Sequence, residues 1–137
     1  MNNTHWMPFT VAYWCVFVAV LLPLACSLIA KRAGFGKKRS QGGYDNHEPR
    51  AWLARQNGAS ARANAAQANS FEALPLFIAG VLIAQQAGAN QGTVDALALA
   101  FIATRGVYIA CYLADHQMAR SLVWTVGVGL CVALFFV

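Results

Sequence analysis

The first apolar run of the chain, residues 7–30, constrains the fold more than any other feature. It contains no charged residue, and it is long enough to cross a hydrocarbon core of about 30 Å, which requires about 20 helical residues. Lys31 and Arg32 follow the run and no basic segment precedes it, which is the reverse of the charge order in a signal peptide. We therefore predict a retained transmembrane helix whose N-terminus lies outside the cytoplasm.

Three more helices are predicted from the apolar runs that follow, and a polar connector at about 31–60 precedes them. Only 11% of the 137 residues are charged, whereas soluble domains carry roughly 25%, and this difference favours lipid as the solvent. The predicted fold class is an all-α membrane protein, a bundle of four transmembrane helices in a single domain, 1–137. The predicted helices are at about 7–30, 61–87, 93–114 and 119–137.

Basic residues indicate how the bundle is oriented. Eight of the ten Lys and Arg residues fall between positions 31 and 62, Arg120 marks the last connection, and the connection at 88–92 has neither. On a soluble module such a cluster would favour nucleic acid, but between two apolar runs it is a topology signal. We predict cytoplasmic basic connections, both termini outside the cytoplasm and no nucleic-acid partner. Residues 49–55 are predicted to form a short interfacial turn or helix, with Trp52 and its arginines in the headgroup layer.

Polar residues interrupt the second helix on one side. Arg62 and Asn69 project within roughly 20° of each other, Glu72 lies one turn further on and Gln67 lies at the flank. A carboxylate that faces lipid at membrane depth costs at least ~2.5 kcal/mol. Glu72 is therefore predicted to face the bundle and to find partners there.

The third and fourth helices offer those partners. Arg105, Tyr108 and Tyr112 have the spacing i, i+3, i+7 and share one helical face, and Arg120 opens the fourth helix at the same end. We predict a buried ion pair between Glu72 and Arg105. Such a pair could serve only to fix helix register, but that explanation leaves the convergence of the other polar residues unaccounted for.

Cysteines and histidines give no sign of catalytic or metal chemistry. Cys15, Cys26, Cys111 and Cys131 lie inside apolar runs without ligand spacing, so they are interpreted as small buried residues, with neither a disulfide framework nor a metal site. His5, His47 and His116 are interpreted as surface residues.

The segment Ala66-Gln67-Ala68-Asn69-Ser70-Phe71-Glu72-Ala73-Leu74-Pro75 resembles the second-helix signature A-Q-x-N-x-x-E-x-x-P of the MAPEG family, the membrane-associated proteins in eicosanoid and glutathione metabolism. Arg105, Tyr108 and Tyr112 resemble that family's third-helix pattern R-x-x-Y/H-x-x-x-Y, and Arg120 resembles the Arg near the start of its fourth helix. The order and spacing of these motifs extend the resemblance over nearly the whole chain.

The resemblance implies a homotrimer with glutathione as cosubstrate between adjacent subunits. It implies that Asn69 and Glu72 hold the glutathione backbone, with Glu72 facing the amino group, and that Gln67 lies near a glutathione carboxylate. It further implies that Tyr108 and Tyr112 contact its polar groups, that Arg105 lines the site and that Arg120 stabilises the thiolate.

Two positions depart from the family pattern. Ala65 stands where many eukaryotic members have Arg, which leaves Arg62 as the nearest basic candidate, and Ala73 stands where an aromatic residue often follows the Glu. The chain resembles a bacterial branch of the family, which implies the bacterial inner membrane. The predicted function is glutathione binding, with transferase or peroxidase activity on lipophilic electrophiles.

Two other functions were weighed against this one. The first is a non-catalytic scaffold of the same fold that binds a lipid or a partner protein, and Ala65 and Ala73 favour it. The second is a small multidrug transporter, whose essential Glu lies in the first helix. Residues 7–30 contain no carboxylate, which disfavours the transporter.

Overall fold

A computed structural model describes residues 9–137, and its ordered elements are helical. Residues 7 and 8 of the predicted first helix, and His5, lie outside the described residues. The helix predicted in the connector is present as α2, and two short 3-10 turns, Arg32–Gly34 and Arg39–Gln41, precede it. The α-helices of the described residues are α1 (Val11–Lys31), α2 (Pro49–Ala54), α3 (Gly58–Gln86), α4 (Gln91–Leu113) and α5 (Gln117–Ala133).

Three of the four predicted membrane spans correspond to helices that are long and apolar enough to cross a bilayer, namely α1, α3 and α4. The fourth, predicted at 119–137, is α5, which begins at Gln117 and ends four residues earlier than expected. Its 17 residues measure about 26 Å, slightly less than a hydrocarbon core of about 30 Å.

Helix packing leaves one side of the bundle open. α1 packs mainly on α3, and α4 on α5, through small buried residues such as Ala12, Ala19 and Ala98 that let helices approach closely. Phe77 of α3 stacks on Phe101 of α4, with ring centroids 4.1 Å apart. By contrast, α3 and α5 are much less closely packed, so a groove lies between them.

A polar network that the sequence analysis did not identify joins one end of α1, α3 and α4. The Asp95 carboxylate of α4 accepts hydrogen bonds from the Ala12 backbone N–H (2.8 Å) and from the Gln91 amide (2.8 Å). Gln85 donates to Gln91 (2.8 Å), and the Thr10 hydroxyl donates to Gln85 (2.9 Å). Because the first N–H groups of a helix lack intrahelical partners and carry positive partial charge, Asp95 stabilises the start of α1.

The connector between α1 and α3 is folded around Trp52. This side chain is only 4% exposed, its indole N–H donates to the Gly42 carbonyl (3.3 Å), and the Tyr44 ring meets it edge-on at 5.3 Å. Gly34 packs directly against Trp52 and Tyr44, because a Cβ there would lie 2.5 Å from Trp52 Cζ2 and 2.6 Å from the Tyr44 backbone nitrogen. The indole therefore forms the core of the connector and is not an exposed anchor, while the position of residues 49–55 in the headgroup layer stays a prediction.

An ion pair closes the loop that precedes α2. Arg39 Nε lies 2.8 Å from Asp45 Oδ2, and Asp45 Oδ1 accepts a hydrogen bond from the His47 backbone N–H (3.0 Å). Burial alone would raise the pKa of Asp45, but the His47 N–H and the Arg39 guanidinium outweigh it and hold that pKa below its ordinary value. The contribution of Asp45 to the connector is therefore present above about pH 4 and is lost as the pH falls through the lowered pKa.

We expect Asp95→Ala to destabilise the bundle by about 1–2 kcal/mol, because the Ala12 N–H loses its acceptor and the α1 N-terminus loses a carboxylate. Asp95→Asn is the matched variant, since it keeps an oxygen acceptor and should cost less. Thermal unfolding in detergent, followed by circular dichroism, measures both. Equal stability of Asp95→Ala and the wild-type protein would contradict this role.

We expect Gly34→Ala to open the connector, because the added methyl group collides with the Trp52 ring and the Tyr44 backbone. Acrylamide quenching of Trp52 fluorescence measures the exposure of this ring when the other tryptophans, Trp6, Trp14 and Trp124, are replaced by Phe. Quenching should rise in Gly34→Ala and stay unchanged in Gly106→Ala, where an added Cβ meets open space. A Trp52 that stays protected in Gly34→Ala would rule out this packing.

Candidate functional site

A groove between α3 and α5, floored by α4, collects most of the predicted site residues, and we call it the α3–α5 groove. It consists of two adjoining cavities of about 250 Å³ and about 440 Å³, which share Asn69 and Trp124. The smaller is lined by Asn69, Glu72, Ala73, Leu76, Phe101, Arg105, Trp124, Gly127, Val128 and Cys131. The larger is lined by Asn69, Tyr108, Arg120, Ser121, Trp124 and Thr125.

Helical spacing explains how α5 contributes its wall. Arg120, Trp124, Gly127 and Cys131 follow each other at i, i+4, i+7 and i+11, so they form one stripe along the helix. Gly127 allows close approach to α4, because a Cβ there would lie 3.2 Å from Thr104 Oγ1. The stripe places a cation at one end of the groove and apolar surface further along it.

Arg105 of α4 is the buried charge of the groove, with 4% of its surface exposed. Its Nη2 donates to the Ser70 hydroxyl on α3 (3.2 Å), and its guanidinium lies over the Tyr108 ring, 4.2 Å from the centroid. Ser70 in turn donates to the Ala66 carbonyl (2.8 Å). Arg105 is thus positioned by a neutral hydroxyl and an aromatic ring.

The predicted ion pair between Glu72 and Arg105 is wrong for the protomer. The two side chains line the same cavity, but their charged groups do not come within 4 Å of each other. The reason is the rotation of α3. Arg105 reaches Ser70, and Glu72 lies two residues further on, which turns its side chain about 200° around the helix axis. Glu72 is exposed on the groove side of the protomer.

Asn69 and Glu72 form a polar pair with unused capacity for hydrogen bonds. Asn69 Nδ2 donates to Glu72 Oε2 (3.3 Å). Asn69 Oδ1 is buried, and among residues 9–137 no donor reaches it. A buried acceptor without a partner costs about 1–3 kcal/mol. The pair therefore offers a ligand one carbonyl acceptor and one carboxylate side by side.

Two cations flank a pair of tyrosines. The Tyr108 and Tyr112 rings meet edge-on, 5.6 Å apart, Arg105 lies over the first ring and Arg120 lies over the second, 4.2 Å from its centroid. Within residues 9–137 neither guanidinium has a carboxylate within 4 Å. Two fixed guanidiniums without carboxylate partners make the groove a favourable place for an anion.

Two other predicted residues lie outside the groove lining. Arg62 Nε donates to the Leu113 carbonyl (3.1 Å), so it caps the C-terminus of α4, where a cation interacts favourably with the helix dipole. Gln67 is half-buried and lines neither cavity. Five predicted residues line the groove, namely Asn69, Glu72, Arg105, Tyr108 and Arg120, and Tyr112 supports it through Arg120.

Sequence reasoning missed Ser70, Phe101, Trp124 and Cys131. Trp124 and Cys131 could have been found from their spacing after Arg120, which puts them on the same helical face. Ser70 carried no signal of this kind, since it occupies a variable position of the second-helix signature. Its role depends on which residue of α4 faces it.

Comparison with known proteins gives one match. The family model described as the MAPEG family matches residues 11–137, which is nearly the whole chain. No curated protein and no solved structure matches the chain.

The cap formed by Arg62 leads to a prediction about stability. We expect Arg62→Ala to lower the free energy of unfolding by about 1 kcal/mol, because the half-buried Leu113 carbonyl loses a charged donor. Arg55→Ala, which removes an exposed arginine on the connector, is the control and should leave stability unchanged. Equal thermal midpoints for the two variants in detergent would argue against the cap.

Proposed function

This chain belongs to the MAPEG family of integral membrane proteins, and from that premise we propose that it binds glutathione in the α3–α5 groove. The family includes both glutathione-dependent enzymes and non-catalytic members. We propose that this chain is one of the enzymes and that it joins glutathione to lipophilic electrophiles or reduces lipophilic peroxides.

The observation that supports glutathione best is the set of charges in the groove. Glutathione carries two carboxylates, one ammonium group, two peptide N–H groups and a thiol. Arg105 and Arg120 offer two guanidiniums to its anionic groups, Glu72 offers a carboxylate to its ammonium group, and the unpartnered Oδ1 of Asn69 offers an acceptor to a peptide N–H. The donors and acceptors of the groove thus complement those of this tripeptide.

The proposed chemistry assigns a distinct role to each part of the groove. A free thiol has a pKa near 8.5, so little of it is thiolate at neutral pH. The guanidinium of Arg120 attracts the thiolate beside it, more strongly in a low-dielectric bundle than in water. Bound glutathione supplies the nucleophilic sulfur. This chain holds the charged ends of the tripeptide, while Leu76, Phe101 and Trp124 hold the lipophilic electrophile away from water.

In the transferase reaction the sulfur forms a bond to the electrophilic carbon of the substrate. The electron pair of the broken bond leaves with the displaced group, or moves to the conjugate position when the substrate is an activated alkene. In the peroxidase reaction the thiolate sulfur attacks the outer peroxide oxygen, the O–O bond breaks, and the inner oxygen takes a proton and leaves as the alcohol. The glutathione sulfenic acid that forms reacts with the thiol of a second glutathione, which gives the disulfide and releases the outer oxygen as water.

Assembly and location belong to the same proposal. We propose a homotrimer in a bacterial inner membrane with both termini outside the cytoplasm. The exposed apolar surface of α1, including Trp14 (56% exposed) and Leu28 (63% exposed), supports contact with lipid or with a neighbouring subunit. The exposed carboxylate of Glu72 supports a site that a second subunit completes.

A non-catalytic scaffold is the second candidate. Ala73 lines the smaller cavity in place of an aromatic side chain, and Ala65 leaves α3 without a basic group there. Both changes favour a groove that holds a lipid or a segment of a partner protein without turnover.

Calorimetric titration of detergent-purified protein with glutathione tests the proposal. We expect saturable binding that falls about 10- to 100-fold in Arg120→Ala and in Glu72→Gln, because each variant removes a charge-assisted contact of about 1.5–3 kcal/mol. Arg50→Ala, which removes an exposed arginine far along the chain from the groove residues, is the matched control and should bind as the wild-type protein does.

The outcomes separate the candidates. No binding at millimolar glutathione by folded protein would overturn the proposal. Binding without turnover of a panel of aryl halides, activated alkenes and lipid peroxides would favour the scaffold.

A further inference from the structure

The net charge of the protein is concentrated in one short segment. The chain carries a formal net charge of +5. The connector, residues 31–56, contains seven basic and two acidic residues, while the rest of the chain contains three of each. The whole net charge therefore lies on the connector, and the remainder of the protein has a formal net charge of zero.

Six of the seven basic residues of the connector form no ion pair with residues 9–137. Arg39 is paired with Asp45 (2.8 Å), and the Lys31 ammonium lies over the Tyr44 ring at 5.0 Å. The other five are exposed, and none has a carboxylate within 4 Å in the described part of the chain. These five, which we call the connector cations, are Arg32, Lys37, Lys38, Arg50 and Arg55.

The connector is also a folded platform. Gly43 is buried where the chain closes on itself, since a Cβ there would lie 2.1 Å from the Lys37 carbonyl oxygen, and its N–H donates to the Lys38 carbonyl (3.0 Å). The Trp52 core fixes this turn against α2. Lys37 and Lys38 are therefore carried on defined backbone, beside the exposed ring of Phe35 (53% exposed).

We propose that the connector cations bind the phosphate headgroups of anionic lipids in the leaflet at this end of the bundle. The connector begins where α1 ends and finishes where α3 begins, and both helices are long and apolar enough to cross a bilayer. Its cations therefore follow directly on the ends of two such helices, and charges near a membrane surface act over about 8 Å at physiological salt. Juxtamembrane clusters of four to eight Lys and Arg residues attract anionic lipids in this way. A topology signal needs the charge alone, whereas a folded connector that exposes five cations without ion pairs in the described part of the chain suits a binding surface.

The full-length protein in mixed micelles provides the test, because micelles impose no orientation. Native mass spectrometry counts bound lipid at matched concentrations of phosphatidylglycerol and phosphatidylcholine. We expect a preference for phosphatidylglycerol of roughly tenfold or more, which weakens as sodium chloride rises to 0.5 M. The triple variant Lys37→Gln, Lys38→Gln, Arg50→Gln should lose most of the preference. The charge-keeping variant Lys37→Arg, Lys38→Arg, with Arg50 unchanged, should retain it.

Each outcome has a defined meaning. Equal binding of the two lipids, or a preference that survives in the triple variant, would overturn the proposal. Release of phosphatidylglycerol by inorganic phosphate at equal concentration would assign the cations to a soluble anion and would overturn the lipid assignment as well. Acrylamide quenching of Trp52 shows whether the connector of each variant is still folded. The proposal is independent of the groove and its ligand.

Discussion

Burial of the Arg105 guanidinium is the constraint around which the bundle is arranged. An arginine at membrane depth is expensive unless it faces the bundle interior and finds partners. Ser70 on α3 accepts one of its N–H groups, and the Tyr108 ring covers its face. The Tyr108 ring packs edge-on against the Tyr112 ring, and the guanidinium of Arg120 on α5 lies over Tyr112. A single buried charge thus connects three helices and defines the floor of the α3–α5 groove.

The partners of Arg105 show which features of the structure could be predicted from the sequence and which could not. Apolar runs predicted the bounds of α1, α3, α4 and α5 to within four residues, because the length of a hydrocarbon core and the period of a helix are fixed quantities. Of these helices, α1, α3 and α4 are long and apolar enough to cross a bilayer. Spacing also predicted correctly that Arg105 and Tyr108 share a face. It could not predict how α3 is rotated against α4. This rotation decides that Arg105 meets Ser70, while Glu72 has no cationic partner among residues 9–137. Asp95 was missed for the same reason, since its partner is a backbone N–H on another helix.

Within residues 9–137 no cation neutralises the Glu72 carboxylate, and this makes it more useful to a ligand than a carboxylate in an ion pair would be. Had Glu72 neutralised Arg105, the groove would have offered a single effective cation, from Arg120, and no anion. With Ser70 and Tyr108 as the partners of Arg105, the groove keeps two cations, one carboxylate and the Asn69 carbonyl, which has no donor among residues 9–137. A buried acceptor without a donor is uncommon in folded proteins. Its presence beside three charged groups favours a polar ligand over a purely apolar one, and this weighs against a scaffold that binds only lipid chains.

The connector, like the groove, combines basic and aromatic residues, but its role is different. Its charges fit the orientation of a membrane protein whose basic loops stay in the cytoplasm, and that task is compatible with a disordered loop. The buried Trp52, the close approach at Gly34 and the Arg39–Asp45 ion pair all order the chain beyond that need. Ordering a segment costs conformational entropy, about 1–2 kcal/mol for each backbone residue, so this packing must offset a substantial cost. Placing five exposed cations on one folded segment of 26 residues adds repulsion between like charges, which anionic lipid headgroups would relieve.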